Sequence, residues 1–101
     1  MHAIDQDGTA FVAEAYNLPQ TAIALAKNPL TLKRWLKVDM LPQPIYCDTS
    51  HGYKHYLREE VEAMAEELHQ HHLSYQYFRE NHTDTIARIR QRIEAIRRGT
   101  A

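Results

Sequence analysis

The stretch that most constrains this 101-residue chain runs from Asn28 to Tyr56. It opens Asn28-Pro29-Leu30-Thr31-Leu32-Lys33-Arg34-Trp35-Leu36-Lys37, breaks at Leu41-Pro42-Gln43-Pro44, and resumes with Gly52-Tyr53-Lys54-His55-Tyr56. Asn28 is a good N-cap, and Pro29 suits the first helical position, where no amide donor is needed. Leu32, Trp35 and Leu36 stand three and four apart and form one apolar stripe. Thr31, Lys33, Arg34 and Lys37 lie away from it. The spacing predicts a helix to about Val38, held by one face and basic on the other. Such a helix can meet phosphates or base edges while its own domain anchors it. Trp35 shares the inner stripe with Leu32 and Leu36, which places it in the core rather than stacked on a base.

The flanks extend this pattern. Pro19 to Lys27 reads as a short helix with Ile23 and Leu25 among small alanines, and Asn28-Pro29 separates it from the next. Two short helices with a tight break form a helix-turn-helix arrangement. Two prolines at 42 and 44 forbid helix beyond it. Ile45-Tyr46 and Tyr53 to Tyr56 have strand-like composition, and Asp48-Thr49-Ser50-His51-Gly52 between them is a turn sequence. A hairpin with a polar tip follows. Arg58-Glu59-Glu60 opens a third helix, with acids near its positive end and Val61, Met64, Ala65 and Leu68 as the inward stripe. Residues 1–17 read as a partly ordered lead-in, where Phe11 and Val12 could form an edge strand or pack on the core. A last helix is expected from Thr83 or Asp84 to Gly99.

The net charge of −1 conceals strong segregation. Residues 1–26 carry three acids and no Lys or Arg, net −3, whereas 27–58 carry six Lys/Arg against two acids, net +4. Residues 59–84 carry one Arg against seven acids, net −6, and 85–101 carry five Arg against one Glu, net +4. A nucleic-acid binder needs no high overall pI if its positive charge sits on one face. Here the central positive block coincides with the helix and hairpin.

Thr21 to about Leu68 resembles the MerR-type winged helix-turn-helix, also seen in phage excisionases and Cox-like proteins. The pieces that carry the resemblance are Thr-Leu-Lys-Arg-Trp at 31–35, Leu41-Pro42, Gly-Tyr-Lys-His-Tyr at 52–56 and Arg-Glu-Glu-Val at 58–61. It implies that the second helix enters the major groove through Thr31, Lys33 and Arg34. It implies wing contacts from His51 and Lys54, with Tyr56 at the wing's end either packed or facing phosphate. Lys37 extends the same basic face. The chain departs from the MerR regulators in having neither a long dimerisation helix followed by a ligand-binding domain nor a cysteine cluster. His55 stands where Arg is common. No small-molecule effector is therefore expected.

Other constellations are weaker. His69, His71 and His72 lack a Cys or acid at metal-ligand spacing, so a solvated histidine run is the plainer reading and no metal or cofactor is expected. Cys47 is the only cysteine, which excludes an internal disulfide and suits a reducing cytoplasm. No apolar run is long enough to span a membrane, and Met1 to Asp7 lacks the basic start and apolar core of a signal peptide. With neither a phosphate-cradling glycine loop nor a nucleophile motif, an enzyme is not expected. Ile86, Ile89, Ile93 and Ile96 repeat at a/d spacing over two heptads. This stripe is read as a dimer seam, the alternative being that it folds back onto the third helix. In such a dimer Arg88, Arg90, Arg92, Arg97 and Arg98 would add phosphate contacts or pair with the acidic third helix of the partner chain.

The sequence thus predicts a mostly α winged helix-turn-helix with a short β-hairpin wing and a C-terminal helix. Its parts would be a lead-in at 1–17, a DNA-binding domain at 18–72 and a helical dimerisation segment at 73–101. The expected function is sequence-specific binding of double-stranded DNA by a homodimer, as a phage or plasmid regulator or a DNA-architectural accessory factor. The rival is a protein-interaction adaptor that docks through the winged domain and the isoleucine stripe.

Overall fold

The computed structural model describes residues 2–5, 8–70 and 75–99, with side chains described except at 70 and 75–83. In chain order the elements are β1 (His2–Ile4), β2 (Ala10–Val12), β3 (Ala15–Tyr16), α1 (Leu18–Ala24), α2 (Pro29–Lys37), β4 (Tyr46–Asp48), β5 (Lys54–Leu57), α3 (Arg58–Gln70) and α4 (Tyr75–Arg97). The strands form one antiparallel sheet in the order β2-β1-β4-β5-β3.

This corrects the fold class. The chain is mixed α/β, with four helices and a five-strand antiparallel sheet among the described residues, and not mostly α with a short hairpin wing. The hairpin exists where the turn sequence put it, but both of its outer edges are paired. Ala3 and Ile4 of β1 stand opposite Asp48 and Cys47 of β4, while Ala15 and Tyr16 of β3 stand opposite Leu57 and Tyr56 of β5. The supposed lead-in therefore supplies three of the five strands. Each is only two or three residues long, too short to show the period-2 alternation that marks a strand, and three of the alanines lie in them. Phe11 and Val12 do form the edge strand, and Phe11 meets Tyr46 edge-to-face with ring centroids 5.5 Å apart.

The helices start and stop for local reasons. Asn17 caps α1 in a capping box: its Oδ1 accepts the Gln20 N–H at 2.9 Å, and Gln20 Oε1 accepts the Asn17 N–H at 3.0 Å. The turn at 25–28 separates α1 from α2, with Ala26 in the left-handed region at φ 57°. The last helix begins at Tyr75 rather than at Thr83 or Asp84, and ends where Gly99 takes φ 76°.

Leu25, Leu32, Leu41, Tyr56, Met64, Leu68, Ile89 and Ile93 are the main fully buried apolar side chains, drawn from the C-cap of α1, the helices α2, α3 and α4, the 39–44 loop and β5. Trp35 is buried as expected. Ile86 and Ile96 are partly buried against the same cluster. The isoleucine stripe thus packs inside its own chain, with Ile89 and Ile93 leaving no surface for a seam or a docking partner. α4 belongs to the common core. No helix among the described residues is long and apolar enough to cross a membrane.

Truncating Ile93 to Ala should therefore cost about 2–5 kcal/mol of unfolding free energy in urea titrations, as a core cavity does. The sedimentation coefficient should stay unchanged. A switch in oligomeric state with little loss of stability would return the stripe to an intermolecular role.

Candidate nucleic-acid interface

α2 is pinned at both ends. Asn28 Oδ1 accepts the Leu30 N–H at 2.8 Å, and Pro29 occupies the position without a donor. At the far end Asp39 adopts φ 60°, and Met40 donates its N–H to the Trp35 carbonyl at 2.8 Å. Leu32, Trp35 and Leu36 face inward, and Lys27 Nζ lies over the Trp35 ring at 5.8 Å. The outward face presents Leu30, Lys33, Arg34 and Lys37 to solvent, with Thr31 half-buried at its margin.

The hairpin brings one more cation to this face. Lys33 and Lys37, one turn apart on α2, line a shallow groove of about 550 Å³ with Lys54 of β5, and Leu18, Leu36, Gln43 and Pro44 complete it. The groove joins Lys33 to Lys37 and Lys54 rather than to Arg34, a grouping that spacing along α2 did not reveal. Three lysines thus line one depression, each a compact positive charge on a flexible stem.

His51 sits at the exposed hairpin tip, its ring stacked on Tyr53 at 5.4 Å. Asp48 holds that tip, accepting the backbone N–H groups of His51 at 2.6 Å and Gly52 at 2.8 Å on Oδ1. The His51 bond is the chief reason its carboxyl titrates below the usual range. His55 is buried and donates Nδ1–H to the Tyr53 carbonyl at 2.8 Å, so the hairpin offers His51 and Lys54 but not His55.

Tyr56 needs a correction. It is fully buried, and its hydroxyl donates to the Pro42 carbonyl. Burial pushes its phenol well up. It faces no ligand and instead ties β5 to the loop behind α2. Tyr56 and Lys54 share one sheet face by the strand period, but Tyr56 is covered where β5 packs against α1 and α3, whereas Lys54 stays exposed.

Residues that the sequence reading did not assign to the site hold the same loop from the other side. Arg97 of α4 bonds the fully buried Glu60 through Nε at 2.5 Å and the Gln43 carbonyl through Nη2 at 2.8 Å. Gln43 in turn donates Nε2 to the Leu36 carbonyl at 2.8 Å, near the end of α2. Arg90 bonds the Asp39 carbonyl and lies 3.6 Å from the Asp39 carboxylate. Glu60 also caps α3, accepting the Leu57 N–H at 2.8 Å. Burial raises its pKa, an effect that the Leu57 bond and then Arg97 partly offset.

The remaining α4 arginines are similarly committed. Arg88 meets Glu67 at 3.0 Å, Arg92 meets Glu66 at 3.0 Å and Glu67 at 3.3 Å, and Arg98 meets Glu94 at 3.0 Å. In the hairpin-to-α3 corner Arg58 bonds Glu14 and Glu62. Among the described residues, Lys33, Arg34, Lys37 and Lys54 have no carboxylate partner. The histidine run lies mostly outside the described residues; His69 is exposed, and no group of three ligands suited to a metal occurs among those described.

A scan against protein-family models finds no match to this chain, and searches of curated proteins and of solved structures find none either.

Removing Arg97 should leave Glu60 buried without its partner, at a cost of about 3–5 kcal/mol near neutral pH. The folded-state pKa of Glu60 is already raised, so stability falls as pH climbs from its unfolded to its folded value, with no effect below the first and a constant cost above the second. Loss of Arg97 drives the pKa higher. Urea titrations of Arg97→Ala should thus show a larger deficit against wild type at pH 7 than at pH 4.5. An equal deficit at both would mean that the pair does not govern this region.

Proposed function

We propose that this chain binds double-stranded DNA, with the outward face of α2 in the major groove and the β4–β5 turn on the adjoining backbone. The observation that carries this reading is the division of positive charge. The described arginines outside α2 are tied to carboxylates, whereas Lys33, Lys37 and Lys54 around one groove, and Arg34 beside it on α2, have none. Uncompensated cations grouped on one exposed surface raise its positive potential and favour an anionic partner, and the phosphate backbone is one.

The geometry separates two kinds of contact. Lys33, Lys37 and Lys54 around their groove suit a backbone phosphate, and His51 at the tip would join them. Arg34 lies on the opposite side of the exposed face from Lys33 and suits the two acceptors on a guanine edge, with Thr31 beside it. The output of such binding is occupancy or altered DNA shape, as in a regulator or an architectural factor.

Arg34→Ala should weaken binding to a selected duplex by about 1–3 kcal/mol and relax preference at one base pair. Lys54→Ala should instead weaken binding to all duplexes about equally and lower the slope of log affinity against log salt by roughly one unit. Fluorescence anisotropy over a salt series reads both. A wild-type chain without salt-dependent affinity for any duplex would exclude this reading and favour a protein-docking role.

A further inference from the structure

Within α2 one large apolar side chain faces solvent. Leu30 is 68% exposed, and nothing among the described residues covers it. Its position is fixed, since its own N–H is the one that Asn28 caps. Lys33 and Arg34 follow it by three and four residues and Lys37 by seven, so all three lie on the same helix face, to its C-terminal side. An apolar spot continuous with unneutralised cations fits an apolar protein surface badly, because burying those charges without partners is costly. It fits a surface that is densely anionic yet carries small apolar points. The major groove of a DNA duplex has that character: phosphates line its walls, and each thymine projects a C5-methyl group from its floor.

We infer that Leu30 packs against a thymine C5-methyl and makes α2 select an A·T pair at that position. This rests on the DNA-binding reading above and adds to it a specificity-determining residue that is neither charged nor polar. The N-terminal turn of a groove-bound helix is the part that reaches base edges, and Leu30 lies in that turn.

The test uses the full chain and a duplex selected from a random pool at physiological salt. Each thymine of the selected site is replaced singly by deoxyuridine, which keeps the pairing and removes only the methyl group. At one position the replacement should weaken wild-type binding about fourfold, the factor for one lost apolar carbon contact. Leu30→Ala should bind the parent duplex correspondingly less well and be indifferent to deoxyuridine at that position. Lys54→Ala should retain the full fourfold response. Because Leu30 is exposed, circular dichroism and thermal melting should match the wild type. The inference is overturned if no position responds to deoxyuridine, if Leu30→Ala responds as the wild type does, or if duplexes bind with salt dependence but without selection. Absence of any salt-dependent duplex binding overturns the DNA-binding reading itself, and this inference with it.

Discussion

The antiparallel packing of α4 on α3 is the interaction on which the rest of the molecule depends. It closes the core with Ile89 and Ile93 over Met64 and Leu68, and flanks that seam with Glu60–Arg97, Glu67–Arg88 and the Arg92 pairs. Exposed ion pairs are worth little individually, but Glu60 is fully buried, and a charge there tolerates no loss of its partner. A chain this short has few apolar side chains to spare, so consuming the isoleucines internally is what allows one domain to close. The same contact pairs Glu60, Glu66 and Glu67 with Arg97, Arg92 and Arg88. Within the positive block at 27–58, Arg58 is paired with Glu14 and Glu62, and Lys33, Arg34, Lys37 and Lys54 keep no carboxylate partner among the described residues.

That consequence links stability to the candidate site. Arg97 and Arg90 reach past α3 to the carbonyls of Gln43 and Asp39, while Tyr56 reaches the same loop from the sheet through Pro42. Loop 39–44 leads from α2 into β4, so it sets where Lys54 stands relative to Lys33 and Lys37. A three-lysine groove is a matter of a few ångströms. Its geometry is imposed by side chains that never face it.

Several elements were legible in the chain because their signals are local. Asn28-Pro29 and the 32, 35, 36 stripe located α2 and its buried Trp35, and the Asp48 to Gly52 turn located the hairpin. Arg58-Glu59-Glu60 marked the start of α3. These depend on caps, prolines and side-chain period, all of which act within about one turn. β1 and β3 were not legible, and β2 only as one option for Phe11 and Val12. The partners of β1 and β3 in the hairpin lie some forty residues away, at 47–48 and 56–57, and strands of two or three residues carry almost no alternation. The capping box of Asn17 with Gln20, and Glu60 three residues after Leu57, are further local signals that the sequence carries for the starts of α1 and α3.

The sequence by itself determined which residues are cationic, which helix carries them and which of its faces is apolar, because composition and a 3.6-residue period settle those matters locally. Only the tertiary structure decided which cations remain without a partner. Arg88, Arg92 and Arg97 are as basic as Lys33 and Arg34, and nothing in their spacing distinguishes them. Whether a charge is cancelled depends on what lies within about 4 Å in space, and for these arginines the partners are 21 to 37 residues away along the chain. The fate of the isoleucine stripe was decided in the same way, since an a/d pattern specifies an apolar seam but not whether the surface across it belongs to the same chain.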